Sequence, residues 1–187
     1  MKYFKSFSLY ISVIMLALLV SACGQSKHEV IVYGDFNCPH CKDFEQKIMP
    51  KLTKDYIEKD KVKFTFVNVA FLDKSSELGA AASYAVKEKA PNKFLKFNQM
   101  IFEQQGKEEI NEKNLDKQID KLGLSDKDSN NIKEEYKNKH SKVWDKVKSN
   151  QKRADKDHIK EVPTVKIDDE KVKDVYDYDS IKKMLDE

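Results

Sequence analysis

Residues 30–41 read Val30-Ile31-Val32-Tyr33-Gly34-Asp35-Phe36-Asn37-Cys38-Pro39-His40-Cys41, and this stretch decides the fold. Four consecutive apolar residues ended by a glycine fit a strand buried on both faces. A helix is expected directly after it, from Cys38 to about Glu58. Cys41, Phe44, Ile48 and Leu52 recur there at three- and four-residue spacing and draw one apolar stripe. Asn37 reads as its cap, and Pro39 falls in the first turn, where a missing N–H costs little. Pro50 lies inside the span and should kink it.

Downstream, Val62-Lys63-Phe64-Thr65-Phe66-Val67-Asn68-Val69 alternates with period two and predicts a second strand. The next stretch reads as helical throughout. A helix over 75–89 carries an Ala-rich face, and one over 92–105 behind Pro91 aligns Phe94, Phe97 and Ile101. A third over 111–122 aligns Leu115, Ile119 and Leu122, with Gly123 as its stop. Residues 125–157 are too long for one surface helix, so a bend is expected near His140-Ser141. Trp144 belongs to its apolar face, and its many charges read as a solvated outer face. Val162-Pro163-Thr164-Val165-Lys166-Ile167 then predicts a strand, Asp168-Asp169-Glu170 a turn, Lys171–Val175 a further strand, and 179–185 a short helix. A βαβ start, a helical block and a ββα finish describe one α/β domain with a helical insertion.

Upstream, residues 1–22 read as a secretion signal. Lys2 and Lys5 precede the apolar run FSLYISVIMLALLV, which is shorter than the roughly 20 residues of a spanning helix. Val20-Ser21-Ala22-Cys23 resembles the lipobox of bacterial lipoproteins, and that resemblance implies acylation at Cys23. Residues 23–28 then form a short polar tether.

The 187-residue chain carries 35 basic and 32 acidic residues. Without Lys2 and Lys5 the balance is 33 to 32, a net charge of +1 that offers nucleic acid nothing to bind. An aromatic content of 10% within periodic segments sustains a core and excludes disorder. Three cysteines are too few for a disulfide scaffold.

Chemistry concentrates at Cys38-Pro39-His40-Cys41. A C-x-x-C after a buried strand, opening a helix, is the setting of a redox pair. A zinc site would need two more ligands, yet the only other thiol, Cys23, lies beside the signal, and His28, His140 and His158 lack metal-ligand spacing. No metal is expected. Haem attachment would need a histidine where Lys42 stands. A disulfide closing so small a loop would add little stability. The first turn of the helix presents unpaired N–H groups and the positive end of the macrodipole to the Cys38 sulfur. His40 adds a donor or a positive charge. Both favour the thiolate of Cys38, the nucleophile, and a favoured thiolate makes the Cys38–Cys41 disulfide an oxidant. Cys41, one turn along on the buried side, is the resolving partner. Asp35 reads as a loop or capping residue and His158 as a surface residue.

Tyr33 to Lys42, together with Met49-Pro50-Lys51-Leu52, resembles the DsbA family of thiol–disulfide oxidoreductases. It is most similar to the lipid-anchored DsbA-like proteins of Gram-positive bacteria. The resemblance spans 29–187 and implies a thioredoxin-like fold, an α/β core of residues 29–73 and 158–187 interrupted by an all-helical domain over 74–157. It implies that Pro163 is cis and lies beside the cysteines, with Val162 offering its backbone to an extended substrate. It further implies a lipid-anchored disulfide oxidase on the extracytoplasmic face of the cell membrane, acting as a monomer on reduced secreted or surface proteins. A membrane quinone-linked partner or a small-molecule oxidant would reoxidise it, and no cofactor beyond the redox-active disulfide is needed. One position departs from the pattern. Some relatives carry a buried acid six residues before the first cysteine, where this chain has Val32. A reductase or isomerase on the same fold, or a surface lipoprotein that only binds, remain the alternatives; His40 argues against the reductase.

Overall fold

The computed structural model describes residues 27–187. The signal over 1–22, Cys23 and most of the tether lie outside the described residues. In chain order the elements are β1 (His28–Gly34), α1 (Pro39–Lys47), α2 (Met49–Leu52) running into a π-helical turn (Thr53–Ile57), and β2 (Val62–Asn68). Then come α3 (Lys74–Lys89), a 3-10 turn (Pro91–Lys93), α4 (Phe94–Gln104), α5 (Glu112–Asp120), α6 (Asp126–Lys137) and α7 (Lys142–Lys156). The chain finishes with β3 (Thr164–Ile167), β4 (Glu170–Lys171) and α8 (Tyr178–Asp186).

Among the described residues four strands form one sheet in the order β2-β1-β3-β4. The apolar run of β1 occupies an inner position, which explains why it lacks a polar face. Its pairing with β2 is parallel, with Val30 opposite Phe64 and Tyr33 opposite Val67. A parallel pair needs a crossover, and the α1–α2 segment supplies it. Its pairing with β3 is antiparallel, with Val32 opposite Val165 and Tyr33 opposite Thr164. Val30 and Val32 enter the main core with α1, while Ile31 and Tyr33 pack with Val67, Val69 and Ala154 on the other side.

Helices α3 to α7 lie between β2 and β3, so the thioredoxin-like α/β core carries an inserted helical subdomain. Its centre is α3, whose Ala80, Ala81, Ala82 and Ala85 are wholly buried. Small side chains let α4, α6 and α7 approach it closely. Asp73 caps this helix by accepting the Ser75 N–H at 2.7 Å. Phe36, Phe66 and Phe102 join the two parts, with ring centroids 5.0 Å apart for Phe36–Phe102 and 6.2 Å for Phe66–Phe102.

The structure differs from the sequence reading at four places. The expected helix from Cys38 to Glu58 is interrupted at Ile48, whose φ of −108° departs from helical geometry. Pro50 is the cause: it has no N–H to give, and its ring would collide with the carbonyl four residues back. Cys38, not Asn37, occupies the cap position. The Asn37 side chain instead donates to the hydroxyls of Ser75 and Ser76, each at 2.8 Å, at the start of α3. The expected bend near His140 is a full break, where the Ser141 N–H donates to the Asn138 carbonyl at 2.9 Å. The last strand stops at Lys171, although the Val172 N–H still reaches the Val165 carbonyl at 2.9 Å. Asp168 and Asp169, with φ of 46° and 72°, make the tight turn before it.

Candidate active site at the start of α1

Chain direction brings β1 to its end at Gly34, and a three-residue turn then delivers Cys38. The Cys38 N–H donates to the Asp35 carbonyl at 3.0 Å, and the Asn37 N–H to Asp35 Oδ1 at 2.8 Å. Pro39 opens α1, and the first helical bond runs from the Lys42 N–H to the Cys38 carbonyl at 3.1 Å. Cys38 therefore stands at the end of the helix where backbone N–H groups lack intrahelical partners.

The two thiols are free, and both are buried, Cys38 at 5% exposure and Cys41 at 3%. Their surroundings differ. The Cys38 thiol donates to the Val162 carbonyl at 3.5 Å. Cys41 Sγ lies beneath β1 and accepts the Asp35 N–H at 3.5 Å. A Cβ on Gly34 would stand 3.7 Å from that sulfur and 2.9 Å from two ring atoms of Phe66, so a larger residue here must displace the Phe66 ring. Burial is the main force pushing the Cys41 thiol above the ordinary cysteine range. The Asp35 amide opposes it; the nearby Cys38 sulfur and, more weakly, the Asp35 carboxylate add to it.

The β1–β3 register explains how a residue more than a hundred positions away reaches the pair. Tyr33 opposite Thr164 sets the preceding residues, Val162 and Pro163, alongside the turn that carries the cysteines. The Val162–Pro163 peptide is cis, and both residues are half-buried. Pro39 and His40 are exposed. The His40 carbonyl accepts the Tyr176 hydroxyl at 2.9 Å. Val32 is 1% exposed and belongs to the same core as both cysteines, so no carboxylate approaches them from that strand position. His158 is exposed in the loop after α7 with φ of 53°, and Trp144 is core, its indole N–H donating to the Tyr136 carbonyl at 2.7 Å.

Two features escaped sequence reading. Asp35 is wholly buried and binds several segments at once, whereas its position in the sequence suggested a simple loop residue. The large apolar residues that stay exposed among the described residues are Phe71, Leu72 and Tyr176. Two of these are bonded to the segment from Asp35 to Cys41: the Leu72 N–H donates to Asp35 Oδ2 at 2.9 Å, and the Tyr176 hydroxyl donates to the His40 carbonyl at 2.9 Å. Exposed aromatics invite notice in a sequence only when their exposure is known. Among the described residues no group of three or more His, Cys, Asp or Glu could hold a metal ion.

Residues 23–187 match the family model described as Thioredoxin. The chain is 36% identical over 163 residues to disulfide bond formation protein D of Bacillus subtilis (strain 168), covering 84% of this chain and 70% of that one. It is 34% identical over 161 residues to the probable disulfide bond formation protein D of Bacillus anthracis, covering 84% and 72%. The fold superposes on the crystal structure of oxidised BdbD from Bacillus subtilis with a TM-score of 0.75 and 31% identity, over 87% of this chain and 89% of that chain. The MdbA thiol-disulfide oxidoreductase of Actinomyces oris shares the fold, with a TM-score of 0.72 at 20% identity over 86% and 80%.

Proposed function

Because the chain belongs to the thioredoxin-fold family of thiol–disulfide oxidoreductases, we propose that it donates disulfide bonds to reduced proteins outside the cytoplasm, through Cys38 and Cys41. The observation that carries the proposal is the asymmetry of the two sulfurs. Cys38 sits at the helix start with its thiol turned to the Val162 carbonyl, and Cys41 is sealed under Gly34 and Asp35.

In the oxidised protein a substrate thiolate attacks Cys38 Sγ. The Cys38–Cys41 bond breaks, and its electron pair leaves on Cys41 Sγ, which takes up a proton because burial favours the thiol. A second substrate thiolate then attacks the substrate-side sulfur of the mixed disulfide and expels the Cys38 thiolate at the helix start, where the macrodipole favours negative charge. The substrate loses two electrons and the cysteine pair gains them. A protonated Cys41 is a slow competitor for the mixed disulfide, so the substrate has time to complete its own bond. That favours donation over reduction. Pro39 sets the backbone of the first turn, and the His40 imidazole supplies a donor or positive charge at its exposed rim. The Val162 backbone beside cis-Pro163 pairs with an extended substrate segment.

Acylation at Cys23 would tether the domain to the extracytoplasmic face of the membrane, stably if two or more chains are added. No helix among the described residues is long and apolar enough to cross a membrane. The reduced pair is returned to the disulfide by a membrane quinone-linked partner or a small-molecule oxidant.

The test is refolding of a reduced, unfolded, disulfide-containing secreted enzyme in a glutathione buffer with catalytic amounts of this protein. Recovery of activity should accelerate with the wild-type chain and not with Cys38→Ser, while Cys41→Ser should accumulate a mixed disulfide at Cys38. Unchanged recovery with the wild-type chain, or acceleration that survives Cys38→Ser, refutes the proposal.

A further inference from the structure

We infer that Asp35 is a positioning residue for the exchange reaction, whose carboxylate clamps the turn that aims a backbone N–H at the sulfur of Cys41. The inference rests on the function proposed above and assigns a part in it to a residue outside the C-x-x-C motif.

Asp35 has 0% exposure, and among the described residues it makes no ion pair. A buried carboxylate without a cation is costly unless donors surround it. Here they do. Oδ1 accepts the Asn37 N–H at 2.8 Å and the Ser76 hydroxyl at 2.5 Å, and Oδ2 accepts the Leu72 N–H at 2.9 Å. The redox turn, the loop after β2 and the start of α3 are thus tied to one side chain. The main chain of the same residue touches both cysteines, since its carbonyl accepts the Cys38 N–H at 3.0 Å and its N–H points at Cys41 Sγ at 3.5 Å. A residue that merely capped or turned the chain would need one of these bonds. The set makes sense if the direction of the Asp35 N–H matters.

It matters because Cys41 has little else to support a negative charge. The titratable groups facing it are Cys38 on the same helical turn, Asp35, and the Tyr176 hydroxyl from the loop before α8. The Asp35 amide is the group that favours the thiolate, against burial and two acidic neighbours. Its carboxylate charge acts in the opposite sense, and more weakly. Positioning and charge therefore predict opposite outcomes on substitution, and the two can be separated.

Glutathione disulfide is the probe. The reduced protein reacts in two steps. The Cys38 thiolate attacks glutathione disulfide, giving the Cys38–glutathione mixed disulfide and one glutathione thiolate. The Cys41 thiolate then attacks Cys38 Sγ, forming the Cys38–Cys41 bond and expelling the second glutathione thiolate. The second phase is independent of glutathione disulfide concentration and reports Cys41 alone. Its rate should climb with pH as Cys41 ionises.

For Asp35→Ala the second phase should slow about tenfold at a given pH, the loss of one hydrogen bond to a charged sulfur, with its pH profile displaced upward. Asp35→Asn keeps an acceptor for Asn37 and Ser76 and removes the charge, but sets an amide NH2 against the Leu72 N–H, so one tie of the clamp is lost and its second phase should be slowed less than that of Asp35→Ala. Ser76→Ala withdraws one donor from the clamp and should slow the step less than Asp35→Ala. A purely structural role would lower thermal stability without moving the pH profile. A wild-type profile in Asp35→Ala, or equal slowing in the Asn and Ala variants, overturns the inference. Should Asp35→Ala fail to fold, Ser76→Ala decides: a slower second phase with its pH profile displaced upward supports the clamp, and a wild-type profile overturns it. A missing first phase in the wild-type protein would instead overturn the function proposed above, and this inference with it.

Discussion

Glu45 offers a pH-dependent test of how α1 is held in place. It lies one turn beyond Cys41 on α1, half-buried at a groove of about 610 Å³ that Met49, Pro50 and Leu95 also line. Burial, and then the Glu103 charge, raise its carboxyl from the ordinary 4.5 to about 7. In the unfolded chain the group ionises near the ordinary value. Between these two points the folded protein holds a proton that the unfolded chain has lost, so stability falls as pH rises through that window. Below 4.5 both states are protonated and nothing is lost; above 7 the full cost is present. At 1.36 kcal/mol per unit of pH the whole displacement corresponds to about 3 kcal/mol. Solvent at the exposed edge of the side chain screens part of that, leaving about 2 kcal/mol. Glu45→Gln keeps the shape and removes the charge. It should match the wild type near pH 4.5 and exceed it by about 2 kcal/mol at pH 8, a shift of the urea midpoint of about 1 M. Urea unfolding followed by circular dichroism at both pH values measures the difference, with equal slopes confirming a common unfolded state. A gap of the same size at both pH values would mean that packing, not ionisation, governs the site. A less stable variant at pH 8 would refute the reasoning outright.

Two further substitutions probe the frame of the site. Gly34→Ala places a methyl 2.9 Å from two Phe66 ring atoms, and that ring is hemmed in by Phe36 and Phe102 at centroid distances of 5.8 and 6.2 Å. Overpacking of this kind costs about 1–3 kcal/mol, and an unchanged melting temperature would show that Phe66 can retreat. Tyr176→Phe removes the hydroxyl that donates to the His40 carbonyl at 2.9 Å. The expected loss is about 0.5–1 kcal/mol, with faster hydrogen exchange in the first turn of α1 and little change elsewhere; protection that stays the same would mean the contact does not hold the turn.

What was legible in the amino-acid order was whatever neighbours along the chain decide. The apolar run of β1, the glycine that ends it, the C-x-x-C with proline in the first turn, and the helical stripes each depend on spacings of a few residues. They gave an α/β core, its helical insertion and the cysteine pair, and the family resemblance added that the core is thioredoxin-like. The misjudged boundaries were also local, but set by competition. Pro50 disrupts the turn before itself, and Asn37 had a choice between capping α1 and binding Ser75 and Ser76, which come close only in the folded chain. The rest required the tertiary structure, for one physical reason: hydrogen bonds and burial between segments far apart in sequence leave no periodic trace. Nothing near Asp35 announces that Leu72 and Ser76 will satisfy its carboxylate, or that its own amide will meet Cys41. Only the β1–β3 register places the Val162 carbonyl against Cys38. The cysteine pair, with Cys41 one turn along on the buried side, could be read from the chain; the partners that each sulfur meets were decided by the fold.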